Sequence, residues 1–218
     1  MARPDRLPPD AVPPDLLAGY RRFRSERYPA ERQRLLELAE AGQRPRTLVI
    51  ACADSRSAPE VVFDARPGEL FVVRNIAALV PAYAPDAMAH GVSAALEYGV
   101  LALEVSAIVV LGHGRCGGIA AALQDAGPLS DTDFVGAWVA GLRQLAGEPS
   151  VAGAETAEER RLALERRSVE RSLERLRTFP WIAGREAEGR LALRGAWFDV
   201  ALGELHVLGS EGWQRVEA

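Results

Sequence analysis

Residues 107–118 read AIVVLGHGRCGG, a β-branched apolar run that passes without a break into a glycine-rich turn. Ile108, Val109 and Val110 suit a buried strand. Gly114, Gly117 and Gly118 suit a turn whose backbone amides come close to a small bound anion. A helix then starts near Cys116 and continues through residues 119–124. Working outward, residues 47–51 (TLVIA) and 69–73 (ELFVV) repeat the strand signal. A helical stretch over 85–103, with Asp86 as its expected N-cap, lies between the second and third strands. Strands alternating with helices imply right-handed crossovers and a parallel sheet.

The flanks agree with one α/β domain over 15–218, a mainly parallel central sheet flanked by helices. Residues 16–42 have helical periodicity interrupted near Pro29, with Gly42 placed to end the helix. Six arginines between Arg21 and Arg34 are interleaved with Glu26 and Glu31, the pattern of a solvated helix face and not of an anion patch. Residues 154–179 read as a long helix. Thr156 and Glu159 form its capping box, Leu162, Val169, Leu173 and Leu176 its apolar stripe, and Pro180 its stop. Residues 191–200 and 204–208 read as a C-terminal hairpin or added sheet edge, with Gly203 at the turn. Residues 1–14 form a proline-rich tail.

Composition narrows the function. The 218 residues are 48% hydrophobic and 26% charged, with a net charge of −4, which excludes a disordered chain and argues against a nucleic-acid binder. Every basic residue is arginine, so lysine Schiff-base chemistry and a lysine-based phosphate loop are excluded. Two cysteines are no disulfide framework, and neither a secretion signal nor an apolar run of the roughly 18 residues needed to span a membrane is present. A cytoplasmic protein with reduced thiols is expected.

In open parallel sheets, ligands bind beyond the carboxyl ends of the strands. The first strand ends there in Cys52-Ala53-Asp54-Ser55-Arg56, the second in Arg74-Asn75, and the third in His113-Gly114-Arg115-Cys116. Both cysteines and one of three histidines thus converge on one rim. Two thiolates and an imidazole suit Zn²⁺ and leave the fourth tetrahedral position open, as catalytic sites do. Cys116, at a helix N-terminus, is favoured as a thiolate. Either cysteine alone reads as a small buried hydrophobe, but three such residues on one rim do not. Gly112-x-Gly114-x-x-Gly117 also spells a dinucleotide fingerprint. The acidic residue that should end a following strand is missing, because Asp131 and Asp133 fall in a polar loop or helix start.

These residues resemble the β-class carbonic anhydrases, closer to the plant-type branch. Cys52-Ala53-Asp54-Ser55-Arg56 is similar to the family's C-[SA]-D-S-R signature, and residues 113–118 to its H-x-x-C-G-G signature. Residues 67–77 and 94–98 extend the likeness. The resemblance implies one zinc per chain on Cys52, His113 and Cys116, with Asp54 and Arg56 as catalytic dyad. Its reaction is reversible hydration of CO₂ to bicarbonate by zinc-bound hydroxide. The pair makes physical sense in its own right: a bidentate arginine orients a carboxylate and keeps it ionised.

By matching positions, the resemblance also places Gln43, Phe71, Ile76 and Tyr98 around CO₂, beside Gly117. It implies a homodimer or a multiple of dimers, with helices 15–42 as the dimer arm. A regulatory bicarbonate pocket known in another branch maps to Val49, Arg74 and Phe198, where two of its three residues are missing, so none is expected. His90 and His206 read as ordinary polar residues. The competing functions are hydrolysis of carbonyl sulfide or carbon disulfide on the same scaffold, and a non-catalytic zinc-binding protein.

Overall fold

A computed structural model describes residues 12–124 and 127–217, so most of the expected tail lies outside the described residues. The chain divides into two units, Met1–Gln43 and Arg44–Ala218. In the first, helix α1 (Pro14–Arg22) runs through a π-helical turn at Phe23–Arg27 into α2 (Tyr28–Ala41). The interruption is that π turn. Pro29 follows directly in the first turn of α2, where it lacks the N–H that would continue the hydrogen-bond ladder of the preceding turn. Gly42 ends the helix at φ 77, a left-handed conformation that glycine adopts freely.

The second unit carries a six-stranded sheet. Its strands are β1 (Thr47–Cys52), β2 (Leu70–Asn75), β3 (Ala107–His113), β4 (Ala192–Asp199), β5 (Glu204–Gly209) and β6 (Gly212–Arg215), in the order β2-β1-β3-β4-β5-β6. The first four are parallel, while β5 and β6 add antiparallel at one edge. The expected C-terminal hairpin is therefore β4–β5. Its first strand lies parallel to β3, and β6 is an extra strand that the sequence reading does not contain.

The helices are α3 (Pro59–Val62), α4 (Gly91–Glu97, continued by a π turn at Tyr98–Ala102), α5 (Gly117–Leu123), α6 (Phe134–Ala146), α7 (Pro149–Ala152), α8 (Ala157–Leu176) and α9 (Pro180–Ala187). The capping box of α8 forms as expected, with Glu159 N–H donating to Thr156 and Thr156 N–H to Glu159. Pro180 follows the end of α8 but also opens α9, its ring pre-set for the first helical turn.

One helix differs from expectation. Asp86 does not cap a helix, because its carboxylate is taken by the Met88 N–H (3.0 Å) and the His90 ring (2.7 Å), with Ala87 left-handed at φ 63. That local turn competes with helical bonding, and α4 starts only at Gly91. Asp133, read as a loop or helix start, is the N-cap of α6, its Oδ1 accepting from Gly136 N–H at 3.1 Å.

Strand β1 shows why the site is where it is. Leu48, Val49, Ile50 and Ala51 have no exposure at all. Leu48 and Ile50 pack with Ile108, Val110 and α8 on one face, Val49 and Ala51 with Leu111 and Ala196 on the other. A strand buried on both faces needs an unbroken apolar run instead of alternation, and Leu48, Val49 and Ile50 each contribute about 1.5–3 kcal/mol. Parallel pairing puts Cys52 opposite Asn75 and Ala51 opposite Leu111, so the polar residues after each run emerge on one rim.

Candidate metal centre

Cys52 ends β1, His113 ends β3, and Cys116 is the N-cap of α5. All three are buried, at 4%, 2% and 3% exposure. One ligand atom from each lies within 4.8 Å of the others, and the two sulfurs are 3.9 Å apart. Two sulfurs on a tetrahedral zinc at about 2.3 Å stand about 3.8 Å apart, so the spacing fits a shared metal. It is far too long for a disulfide, and both thiols are free.

The histidine is already set for a metal. Its Nδ1 donates to the Gly114 carbonyl at 2.9 Å, which leaves the Nε2 lone pair free. Nε2 is buried and has no protein partner. A buried, unpaired nitrogen facing two thiols is costly unless something binds it. The donor set fits zinc.

Charge follows from the same geometry. The two sulfurs share a hydrogen bond, which together with His113 and the Asp54 and Ala77 backbone outweighs burial and draws Cys52 well below the ordinary thiol range. The same hydrogen bond and burial push Cys116 up. Two adjacent buried thiols resist losing both protons until a cation arrives. For His113, burial lowers the basicity, but the nearby Cys52 sulfur, the Gly114 carbonyl and the Asp54 charge more than compensate, so the net shift is upward.

Asp54 and Arg56 form a bidentate pair on the loop after β1. Arg56 Nε donates to Asp54 Oδ1 at 2.9 Å and Nη2 to Oδ2 at 2.6 Å, and the Arg56 backbone N–H adds a third bond at 3.0 Å. Those bonds to Arg56 hold the Asp54 carboxyl well below the usual carboxylate range. Asp54 Oδ2 lies 4.0 Å from His113 Nε2, at the edge of the ligand cluster.

Residues 47–205 match the profile of the family described as carbonic anhydrase, which spans well over half the chain. The chain belongs to the β-carbonic anhydrase family. A carbonic anhydrase of Pseudomonas aeruginosa is 39% identical over 195 residues, covering 89% of this chain and 86% of that protein. Beta carbonic anhydrase 5, chloroplastic, of Arabidopsis thaliana is 37% identical over 186 residues, covering 85% of this chain but 61% of that longer protein. Among solved structures, a tetrameric β-carbonic anhydrase of Sordaria macrospora superposes with a TM-score of 0.78 at 29% identity, covering 89% and 95% of the two chains.

In this β-carbonic anhydrase the expected pocket residues are placed unequally. Ile76, 41% exposed, leans on the start of α5, where a Cβ at Gly118 would come within 2.7 Å of its Cγ2. Gly117 has open space around it. Phe71 packs against the core and meets the exposed Tyr98 ring at 5.9 Å between centroids. Gln43 ends the other unit. Val49 lies in the core.

Two contributors were not read from the sequence in their actual role. Arg74 donates from Nε to the Cys52 carbonyl (2.9 Å) and from Nη2 to the Asp54 carbonyl (2.7 Å), pinning the loop that carries ligand and dyad. Backbone acceptors leave no sequence signal. Glu165 on α8 is 2% exposed and accepts from the Cys116 N–H at 3.4 Å and from Trp197 Nε1 at 3.2 Å. Its signal was legible: an acidic residue between Leu162 and Val169 on the apolar stripe. His206 packs edge-on against Trp197, with Arg166 donating to its Nδ1 at 3.2 Å, and His90 pairs with Asp86.

Proposed function

We propose that this protein catalyses the reversible hydration of CO₂ to bicarbonate and a proton, with one zinc ion held by Cys52, His113 and Cys116. The observation that carries the reading is the unpaired, buried His113 Nε2 facing two thiols 3.9 Å apart, with the ionised Asp54 4.0 Å from the same nitrogen. When bound, zinc supplies the acidification of water that yields a nucleophile at neutral pH.

The chain's own residues do the rest. Asp54, kept ionised by Arg56, accepts a hydrogen bond at neutral pH and does not donate one, so it orients the attacking oxygen with a lone pair toward CO₂. Arg56 and Arg74 hold that carboxylate and its loop in place. Phe71, Ile76, Tyr98 and Gly117 line the CO₂ site in this reading. The working form is a homodimer or a multiple of dimers, for which the tetrameric Sordaria macrospora relative is support. Helices within 15–42 serve as its arm, and their exposed Leu16 and Tyr20 are suited to cover a second copy. The protein acts in the cytoplasm on a small-molecule substrate; among the described residues no helix is long and apolar enough to cross a membrane.

Stopped-flow CO₂ hydration on protein of measured zinc content tests the reading. Activity proportional to zinc is expected. Zinc-loaded protein that releases sulfide from carbonyl sulfide but does not hydrate CO₂ would transfer the site to the competing hydrolase reaction. Zinc-loaded protein inert toward both would make it a binding protein.

A further inference from the structure

Glu165 is a buried acid that the reaction above does not use. It projects from α8 toward the turn between β3 and α5, the segment bearing His113 and Cys116. Close packing lets it reach: a Cβ at Gly112 would lie 2.6 Å from Val169 Cγ2, so strand and helix approach without a side chain between them. Cys116, as N-cap of α5, has extended dihedrals (φ −68, ψ 126), and its N–H lies outside the helical ladder. Glu165 Oε1 is the acceptor for that N–H, at 3.4 Å.

The other oxygen is tied down as well. Oε2 accepts from Trp197 Nε1 at 3.2 Å, and Arg161 Nε stands 3.5 Å from Oε1. Between Glu165 and the ligands, the gap lined by Ala77, Gly112, His113, Cys116, Ile119 and Ser168 has no room for a water. No solvent molecule on that side can replace the carboxylate as partner of the Cys116 amide. On its outer side lies a pocket of about 130 Å³ bounded by Gly114, Arg115, Arg161, Trp197 and Asp199.

We propose that Glu165 is a positioning residue for the metal centre: clamped by Trp197, its carboxylate fixes the Cys116 backbone and so holds the Cys116 sulfur in register with Cys52 and His113. This rests on the zinc reading above. A ligand whose backbone can drift loses the pre-organisation that makes three side chains a strong site, and partners of this kind are commonly worth 10- to 100-fold in metal affinity.

The test measures Zn²⁺ affinity by chelator competition, and the thiolate-to-metal absorption of the Co²⁺-substituted protein, for wild type, E165M and E165Q. Methionine keeps the bulk and removes the acceptor, whereas glutamine retains an acceptor for the amide. We expect about a 10-fold or greater rise in Zn²⁺ Kd for E165M, with an altered Co²⁺ spectrum in apo-protein that is still folded by circular dichroism. E165Q, with one acceptor oxygen where the Cys116 and Trp197 N–H groups use two, should recover part of both. If E165M does not fold, W197F, which frees one carboxylate oxygen, should raise Kd in the same direction by a smaller factor. Wild-type affinity and spectrum in E165M, or in W197F should E165M be unfolded, overturn the role of Glu165 and leave the zinc site standing. Wild type that takes up no Zn²⁺ overturns the zinc reading itself.

Discussion

Arg56 and Arg115 are joined across the rim of the sheet: Arg56 Nη2 donates to the Arg115 carbonyl at 3.1 Å while the same nitrogen grips Asp54. Arg115 lies between two candidate ligands, His113 and Cys116, and is left-handed at φ 57, a conformation that costs a non-glycine residue about 1 kcal/mol. One guanidinium thus ties the β1 loop to the β3–α5 turn. Dyad and ligand cluster are joined through Arg56.

The three ligands should be individually indispensable. Wild type should hold about one zinc per chain by elemental analysis, and C52S, H113A and C116S should each lose most of it. The only cysteines in the chain are these two, so nothing can substitute. Full occupancy in one variant would remove that residue from the ligand set.

Dyad variants should separate binding from turnover. D54N and R56A are expected to retain zinc yet lose CO₂ hydration by about 100-fold or more, because each removes part of the group that orients the nucleophile and leaves Cys52, His113 and Cys116 in place. Stopped-flow rates on zinc-quantified protein decide this. Near-normal rates in both would leave Asp54–Arg56 as a structural ion pair.

Arg74 should matter without touching substrate. R74M frees the carbonyls of Cys52 and Asp54 and is expected to lower kcat/KM about 10-fold or more, with R74K recovering part of it. An R74M enzyme with wild-type kcat/KM would show that the β1 loop holds its shape unaided.

Adjacent glycines should respond unequally. At Gly118 a new Cβ would lie 2.7 Å from Ile76 Cγ2 and 3.0 Å from Ala77 Cβ, so G118A should cost about 1–3 kcal/mol in denaturant unfolding. At Gly117 nothing stands within 4 Å, and G117A should change stability by less than about 0.5 kcal/mol.

Acid should selectively erase one surface network. Hydrogen bonds from Arg167, and the charges of Arg167 and Arg171, hold Glu148 below the usual carboxylate range. A depressed folded-state pKa means stabilisation that is present above the ordinary value and lost as pH falls through the depressed one. E148Q should therefore lower Tm at pH 7, and the gap from wild type should close as pH drops below about 4. A gap that persists unchanged into strong acid would assign the effect to packing instead.

The sequence by itself determined the parallel sheet and singled out the three candidate metal ligands. Both depend on short-range information: apolar runs long enough to be buried on two faces, and rare residues placed directly after them, so that parallel pairing brings Cys52 and His113 to the same rim. It also marked the Thr156 cap and the Gly42 stop, which are local bonds. The Asp86 turn was local as well, but two outcomes competed for one carboxylate and the sequence pattern favoured the wrong one. Only the tertiary structure decided what supports the site. Arg74 bonds to backbone carbonyls, which every residue carries and no pattern distinguishes. Glu165 stands out as an acid on an apolar stripe, yet its partner is 49 residues away. Which buried N–H it meets depends on how α8 crosses β3 and β4, and that crossing is set by the close packing of Gly112 and Gly195 against Val169, contacts between segments far apart in the chain.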